Sequence, residues 1–327
     1  MPEMRATAFG DVPRGRSDSD GLARRDSALQ RDSAVRGDGA AQRDSAVRSD
    51  DFGAVAEPVS CDDPGETALE RGRVHGAYAY EVQRVGEGQD RYRADFSWSP
   101  YRDVDDAQGS GVALARLHRA AQGFDAPTRQ PRPLIASMWS DVHAAVEAAI
   151  AERPAVARML VGRDWRAEIP QATANLDGAQ PLWTHGDWHP TNLLWTGHEV
   201  TGVLDFGLAD RTTAAFDIAT AIERTMIDWV ALRDGGPANA RTDQLTALLD
   251  GYQSVRALSA TDKRLVVELL PLVHVGYELS EIDYFLSVAD DERAEEAYHD
   301  WLGGHLRWWA SGEGAAFVAR VRRALGT

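Results

Sequence analysis

Residues 184–207 set two carboxylates and an amide around one short hairpin, and this stretch constrains the chain most. Asp187 lies on a loop, Asn192 closes that loop, and Asp205 follows the hairpin. Leu193-Leu194-Trp195 reads as an apolar strand, Thr196-Gly197-His198 as a turn and residues 200–204 as the return strand. A hairpin folds Asp205 back beside Asn192, with Asp187 at the same mouth. Amide and carboxylate oxygens are hard donors that suit Mg²⁺, which keeps waters and takes phosphate oxygens as its other ligands. Asp187 is then left to accept a proton from a hydroxyl. Its position between an apolar strand and a proline predicts a solvent-facing loop carboxylate.

The pattern His185-Gly186-Asp187, Asn192, Asp205, followed by Phe216-Asp217-Ile218-Ala219 at a helix start, resembles the aminoglycoside phosphotransferase family, small-molecule relatives of the protein kinases. The resemblance covers roughly residue 74 onward. It implies an α+β, protein-kinase-like two-lobe fold with a reduced β-rich N-lobe and a mostly helical C-lobe. It also implies ATP and Mg²⁺ as cofactors and transfer of the ATP γ-phosphoryl group to a substrate hydroxyl. In that template catalysis is mostly positioning and electrostatics. By resemblance Asp187 is the catalytic base, Asn192 and Asp205 are the metal ligands, and His185 braces the loop. Asp217 is expected to be structural, capping the helix that it begins.

Two other chemistries draw on the same residue types. A zinc site could use His185 and His189, but Pro190 stops a helix there and no third His or Cys lies nearby. A two-metal phosphoesterase would need a second Asn-His cluster, which the sequence does not supply.

The net charge of -16 argues against a general nucleic-acid binder and is compatible with a small cationic substrate. Cys61 is the single cysteine, which excludes an intrachain disulfide and fits a reducing cytoplasm. No apolar run occupies residues 1–16, so no secretory signal is expected. The longest apolar stretch, 265–277, carries Glu268, Pro271 and His274 and is too short for a bilayer. The expected partner is therefore a small-molecule hydroxyl substrate, with no nucleic acid and no membrane.

Residues 1–53 contain a hexapeptide repeat of the Arg-Asp-Ser-Ala type between Arg25 and Arg48. Its period fits neither a helix face nor a strand, and each unit offers one modest apolar side chain, so disorder is expected. Residues 54–98 read as a remnant of a nucleotide-binding lobe. Tyr78, Tyr80 and Val82 alternate as in a strand, and the resemblance places Val82, Gln83 and Val85 at the hinge beside the adenine. A kinase-like lobe also needs a lysine on its third strand. The single lysine, Lys263, lies far downstream, so two readings stand: either the lobe is truncated or diverged and the protein is a damaged kinase, or an arginine such as Arg71 or Arg73 takes over phosphate contact. Weak nucleotide binding that leans on Mg²⁺ is expected. The competing class is a non-catalytic relative that binds a small molecule or a partner.

Residues 99–327 read as helical. Ser99-Pro100 is a cap followed by a first-turn proline, and Leu114, Leu117, Ala121 and Phe124 share a face that stops at Gly123. Trp139, Val142, Val146 and Ile150 form a second face ended by Pro154. Ile218, Ile222, Thr225, Trp229 and Leu232 form a third, and Leu245, Leu248, Tyr252 and Val255 a fourth. A long helix over 265–289 should kink at Pro271, and Trp301, Trp308, Trp309 and Phe317 read as core. The acidic run from Glu278 to Glu296 reads as a solvated helix face. Its functional alternative, from the resemblance, is that Glu278, Glu281 and Asp283 meet an amine-bearing substrate.

Overall fold

The computed structural model describes residues 6–8, 72–75, 78–82, 86–127 and 138–327. The repeat, Arg71, Gln83 and Val85 lie outside the described residues. The chain divides into two compact units, Met1–Glu87 and Gly88–Thr327.

In the first unit β1 (Ala6–Ala8), β2 (Gly72–His75) and β3 (Tyr78–Val82) form an antiparallel sheet in the order β1-β3-β2. The alternating segment is thus a central strand, ending at the hinge candidate Val82. Ala6 pairs with Val82 and His75 with Tyr78. Ala6–Ala8 therefore forms a strand where the repeat-bearing segment was expected to carry none.

The second unit begins at Gly88, not near residue 99. Gln89 exchanges both backbone hydrogen bonds with Trp195, at 2.8 and 3.0 Å, and so fastens its segment to the hairpin. Gly88 itself has φ +112, and a Cβ there would stand 2.3 Å from Thr201 Oγ1. This unit is mostly helical. Its helices are α1 (Val104–Ala120), α2 (Val142–Glu152), α3 (Pro154–Met159), α4 (Trp165–Glu168), α5 (Ala214–Thr225), α6 (Trp229–Arg233) and α7 (Thr242–Val255). They continue as α8 (Ala260–Leu269), α9 (Val275–Ser287), α10 (Asp291–Glu296), α11 (Gly303–Trp309) and α12 (Gly312–Leu325). The strands pair as β4 (Pro181–Thr184) with β7 (Asp210–Thr213), and β5 (Leu193–Thr196) with β6 (Glu199–Val203). No helix among the described residues is long and apolar enough to cross a membrane.

Local chemistry sets the helix limits. Asp103, not Ser99, caps α1 by accepting from the Asp106 amide at 2.8 Å. Both residues can cap, and the proline after Ser99 is only a permissive signal. Phe124 lies beyond the helix and is 60% exposed. Pro154 divides two helices by taking the first-turn position of α3, where its missing N–H costs nothing. Pro271 breaks the long helical reading into α8 and α9. Thr213 rather than Asp217 caps α5, accepting from the Phe216 amide at 3.1 Å. That frees Asp217 for another task.

α1 and α7 cross at close range through glycines. A Cβ on Gly111 would lie 2.1 Å from Leu248 O, and one on Gly251 would lie 2.2 Å from Gln108 O. Backbone carbonyls cannot swing away as side chains can. Gly111→Ala should therefore force the helices apart and destabilise the protein by about 1–3 kcal/mol, the scale of an overpacked core. Denaturant midpoints would show it, and a wild-type midpoint would refute the close crossing.

Candidate active site

Asp187, Asn192 and Asp205 all lie in the Gly88–Thr327 unit. The hairpin that joins them is built from β5 and β6, with Leu193 opposite Val203 and a bulge between Leu194 and Trp195. The Leu204 amide donates to Asn192 O at 2.8 Å, so Asp205 leaves the hairpin directly beside the residue that opens it. A cluster around buried Asp106 anchors the hairpin turn. Arg91 and His198 Nδ1 each reach Asp106 at 2.8 Å, Tyr92 donates to it, and Arg91 also donates to Gly197 O at 2.9 Å.

The loop before the hairpin is held from behind by Asp217. Its carboxylate accepts from the backbone N–H of His185 at 2.7 Å and of Gly186 at 2.8 Å. His118 of α1 stands behind Asp217, its Nε2 at 3.1 Å. Tyr252 of α7 lies 2.8 Å from His118 Nδ1 and accepts from Arg256 at 2.9 Å. The Tyr252 hydroxyl thus donates to Nδ1, and Nε2–H is left to donate to Asp217. Gly186 has φ +80, the left-handed turn that aims successive amides at one carboxylate. His185 completes the brace: its Nδ1 accepts from the Asp187 amide at 3.2 Å, and its Nε2–H donates to Leu204 O at 2.8 Å. One imidazole thereby ties the Asp187 loop to the strand end that precedes Asp205. Trp188 Nε1 donates to Ser110 of α1 at 2.8 Å.

The Asp187 side chain is 15% exposed, so it is not the solvent-facing loop group that its sequence position predicts. Arg224 Nη2 lies 2.8 Å from its Oδ1, and His189 Nε2 lies 3.2 Å from Oδ2. The Thr191 hydroxyl and His189 Nδ1 are 2.8 Å apart. Asn192 Nδ2 donates to Asp187 O at 3.0 Å and reaches Oδ2 at 3.3 Å. Burial alone would raise the Asp187 carboxyl, but Arg224 and His189 outweigh burial and hold it well below the usual carboxylate range. Burial lowers His189, against the pull of Asp187, and keeps that ring neutral. Asp205 is exposed, adopts φ 58 and accepts from the Gly207 amide at 3.2 Å.

The acidic residues of α9 do not form a solvated face. Glu278 and Glu281 are buried, and the Asp283 carboxylate lies 3.9 Å from Arg153. Burial, then the neighbouring charge of Glu281, push the Glu278 carboxyl well above the usual range, against the opposing pull of Arg224.

Two groups of this site escaped the sequence reading. Arg224 is 4% exposed and sits over the rings of Trp98 at 3.8 Å and Tyr277 at 4.7 Å. Such stacking holds a desolvated guanidinium in place. The available signal was Glu223-Arg224, a charged pair inside an otherwise apolar helical face. His118 is the second, and no motif in the sequence marks it.

A family model described as "APH: Phosphotransferase enzyme family" matches residues 26–258. Homoserine kinase of Chelativorans sp. is 31% identical over 176 residues, covering 52% of this chain and 48% of that one. Homoserine kinase of Rhizobium meliloti is 28% identical over 199 residues, covering 59% and 50%. The chain spans about half the length of these curated relatives. Among solved structures, an aminoglycoside phosphotransferase from Alicyclobacillus acidocaldarius aligns over 78% of this chain and 74% of its own, with TM-score 0.43 and 19% identity. A microcompartment-associated aminopropanol kinase aligns over 75% and 73%, with TM-score 0.44 and 18% identity. On the match of its residues 26–258, the chain belongs to the phosphotransferase enzyme family.

Proposed function

We propose that the chain transfers the γ-phosphoryl group of MgATP to the hydroxyl of a small molecule. Asp187 receives the hydroxyl, and Asn192 and Asp205 hold the metal. The observation that carries this reading is the Asp187 loop, bolted to Asp217 through two backbone amides and joined by one hairpin to Asp205. Family membership supports the reaction class. The curated relatives' name, homoserine kinase, supports a small hydroxyl compound as acceptor.

The residues present fit magnesium. The Asn192 amide nitrogen is turned to Asp187 O, which directs its oxygen the other way. That oxygen and the exposed Asp205 carboxylate are the hard donors Mg²⁺ prefers. Bound there, the ion would supply positive charge to neutralise that developing on the transferring phosphoryl group. Asp187 is anionic throughout the ordinary pH range, so it accepts a hydrogen bond from the hydroxyl and aims its oxygen. Such a carboxylate is a weak base. In a loose phosphoryl-transfer transition state the hydroxyl needs orientation more than early deprotonation. Arg224, His189 and Asn192 fix the orientation of the carboxylate, and His185 couples it to the metal side.

Asp205→Asn tests the metal half. Asn tolerates the left-handed conformation and can still accept from Gly207, while the charge is lost. Calorimetry with MgATP should show binding by the wild type, at least tenfold weaker binding by the variant, and almost none with ATP plus EDTA. Tight metal-independent binding, or no nucleotide binding at all, would overturn the reading.

A further inference from the structure

We propose that Glu223, His274 and His305 form a binding site for one Zn²⁺-class divalent ion inside the helical unit, separate from the Asp187 loop. Glu223 lies in the last turn of α5, His274 immediately precedes α9, and His305 lies in α11. All three side chains are buried, and one ligand atom of each lies within 4.8 Å of the other two.

The contacts within this cluster are incomplete as they stand. Glu223 Oε1 is 2.7 Å from His305 Nδ1 and 3.8 Å from His274 Nδ1. His274 Nε2 faces Leu302 O at 3.5 Å, which places the ring proton on that nitrogen. Its Nδ1 is buried without a hydrogen-bond partner. A bare imidazole lone pair thus faces a carboxylate oxygen in a buried interior. Two acceptors opposed in this way are costly unless an electropositive species joins them.

A divalent ion satisfies both. In a tetrahedral site with bonds near 2.0–2.1 Å, neighbouring ligand atoms stand about 3.3 Å apart. The two separations at Glu223, 2.7 and 3.8 Å, lie on either side of that value. Two imidazoles and one carboxylate select Zn²⁺ or Co²⁺ over Mg²⁺ and Ca²⁺, which favour all-oxygen shells.

The surroundings support the set. Leu302 O orients His274 as an outer partner would, and His305 stacks on Trp229 with centroids 3.8 Å apart. Arg224, next to Glu223, is paired with Asp187 at 2.8 Å, and its charge is the one opposing group that a cation here meets among the described residues. On binding, a proton held by His305 Nδ1 shifts to its Nε2, whereas one held by Glu223 leaves to solvent, so the ring stays neutral and the carboxylate is ionised. The ion would tie α5, α9 and α11 together one residue from the Asp187–Arg224 pair.

The experiment uses the full chain, unfolded in chelator and refolded with Zn²⁺ or Co²⁺, followed by gel filtration and elemental analysis. One ion per chain should be retained, Co²⁺ should give an intense tetrahedral absorption band, and Zn²⁺ should raise Tm by several degrees over the metal-free form. Glu223→Gln and His274→Gln should each lose the ion, while Asp205→Asn should keep it, separating this site from the nucleotide metal. The rival occupant is a proton on Glu223, whose carboxyl burial pushes up to about 7. In that case the wild type holds no stoichiometric Zn²⁺, Co²⁺ gives no band, and Glu223→Gln melts like the wild type. That result, or equal metal in the wild type and both ligand variants, would overturn the proposal. Wild-type metal content alone decides the matter if a variant fails to fold.

Discussion

Asp187→Asn should lose on the order of 10²-fold or more in turnover, the scale of a positioned acid-base group, while the chain still folds. Asn keeps the shape and can still accept from the Asn192 amide, which reaches the wild-type carboxylate at 3.3 Å. It cannot offer a charged oxygen to a hydroxyl. The structure adds a stability cost that a loop carboxylate would not carry. Arg224 is buried and pairs with Asp187 at 2.8 Å, so the substitution strands its charge. Its stacking on Trp98 and Tyr277 and the nearby Glu278 soften that loss. A destabilisation of about 1–3 kcal/mol is expected, below the cost of an unrelieved buried charge. Turnover in a coupled ADP-release assay and a urea midpoint on the same sample separate the two effects. Wild-type turnover in the folded variant would remove Asp187 from the chemistry.

The hairpin and its flanking residues were legible because their information is local. An apolar strand, a Gly-containing turn and a return strand occupy eleven consecutive positions, 193–203, and they dictate where Asn192 and Asp205 meet. The groups that hold the loop were not legible, because their partners are remote. His118 and Asp217 are 99 positions apart, and nothing near either names the other. The reading of Asp217 as a cap was reasonable for a carboxylate in a first helical turn. Thr213, four positions earlier, could do the same work, and propensity does not choose between them.

The acidic run is instructive in another way. Counting charges along α9 suggests a solvated face. The helical period does not, because Val275, Glu278, Leu279 and Ile282 follow the spacing of one buried stripe, and all four are buried. Glu278 was readable as an interior carboxylate from spacing alone. The small sheet was legible at the alternating segment Tyr78–Val82, whereas Ala6–Ala8 has three small side chains and no pattern to find.

Asp217 is the residue whose loss should cost the fold most. Its carboxylate takes three donors at once: the His185 amide at 2.7 Å, the Gly186 amide at 2.8 Å and His118 Nε2 at 3.1 Å. It is fully buried, as are His118 and His185, and Gly186 is buried too. Asp217→Ala leaves all three donors without an acceptor where water does not reach. At about 1–3 kcal/mol for each of the three unsatisfied groups the sum is on the order of 3–9 kcal/mol, less whatever the loop recovers by moving. That recovery would itself be damaging, since the amides would turn outward and carry Asp187 out of register with Asp205. Asp217→Asn should fall between, at roughly 2–3 kcal/mol, because its oxygen serves one amide while its NH₂ opposes the other. Urea midpoints should therefore rank wild type above Asn above Ala. Native-state hydrogen exchange at the His185 and Gly186 amides should accelerate in the same order, and turnover at low temperature should fall with it. An Ala variant with the wild-type midpoint and protected amides would mean that the loop stands without its brace. Asp217 would then be reduced to a favourable charge in the first turn of α5, worth less than about 1 kcal/mol.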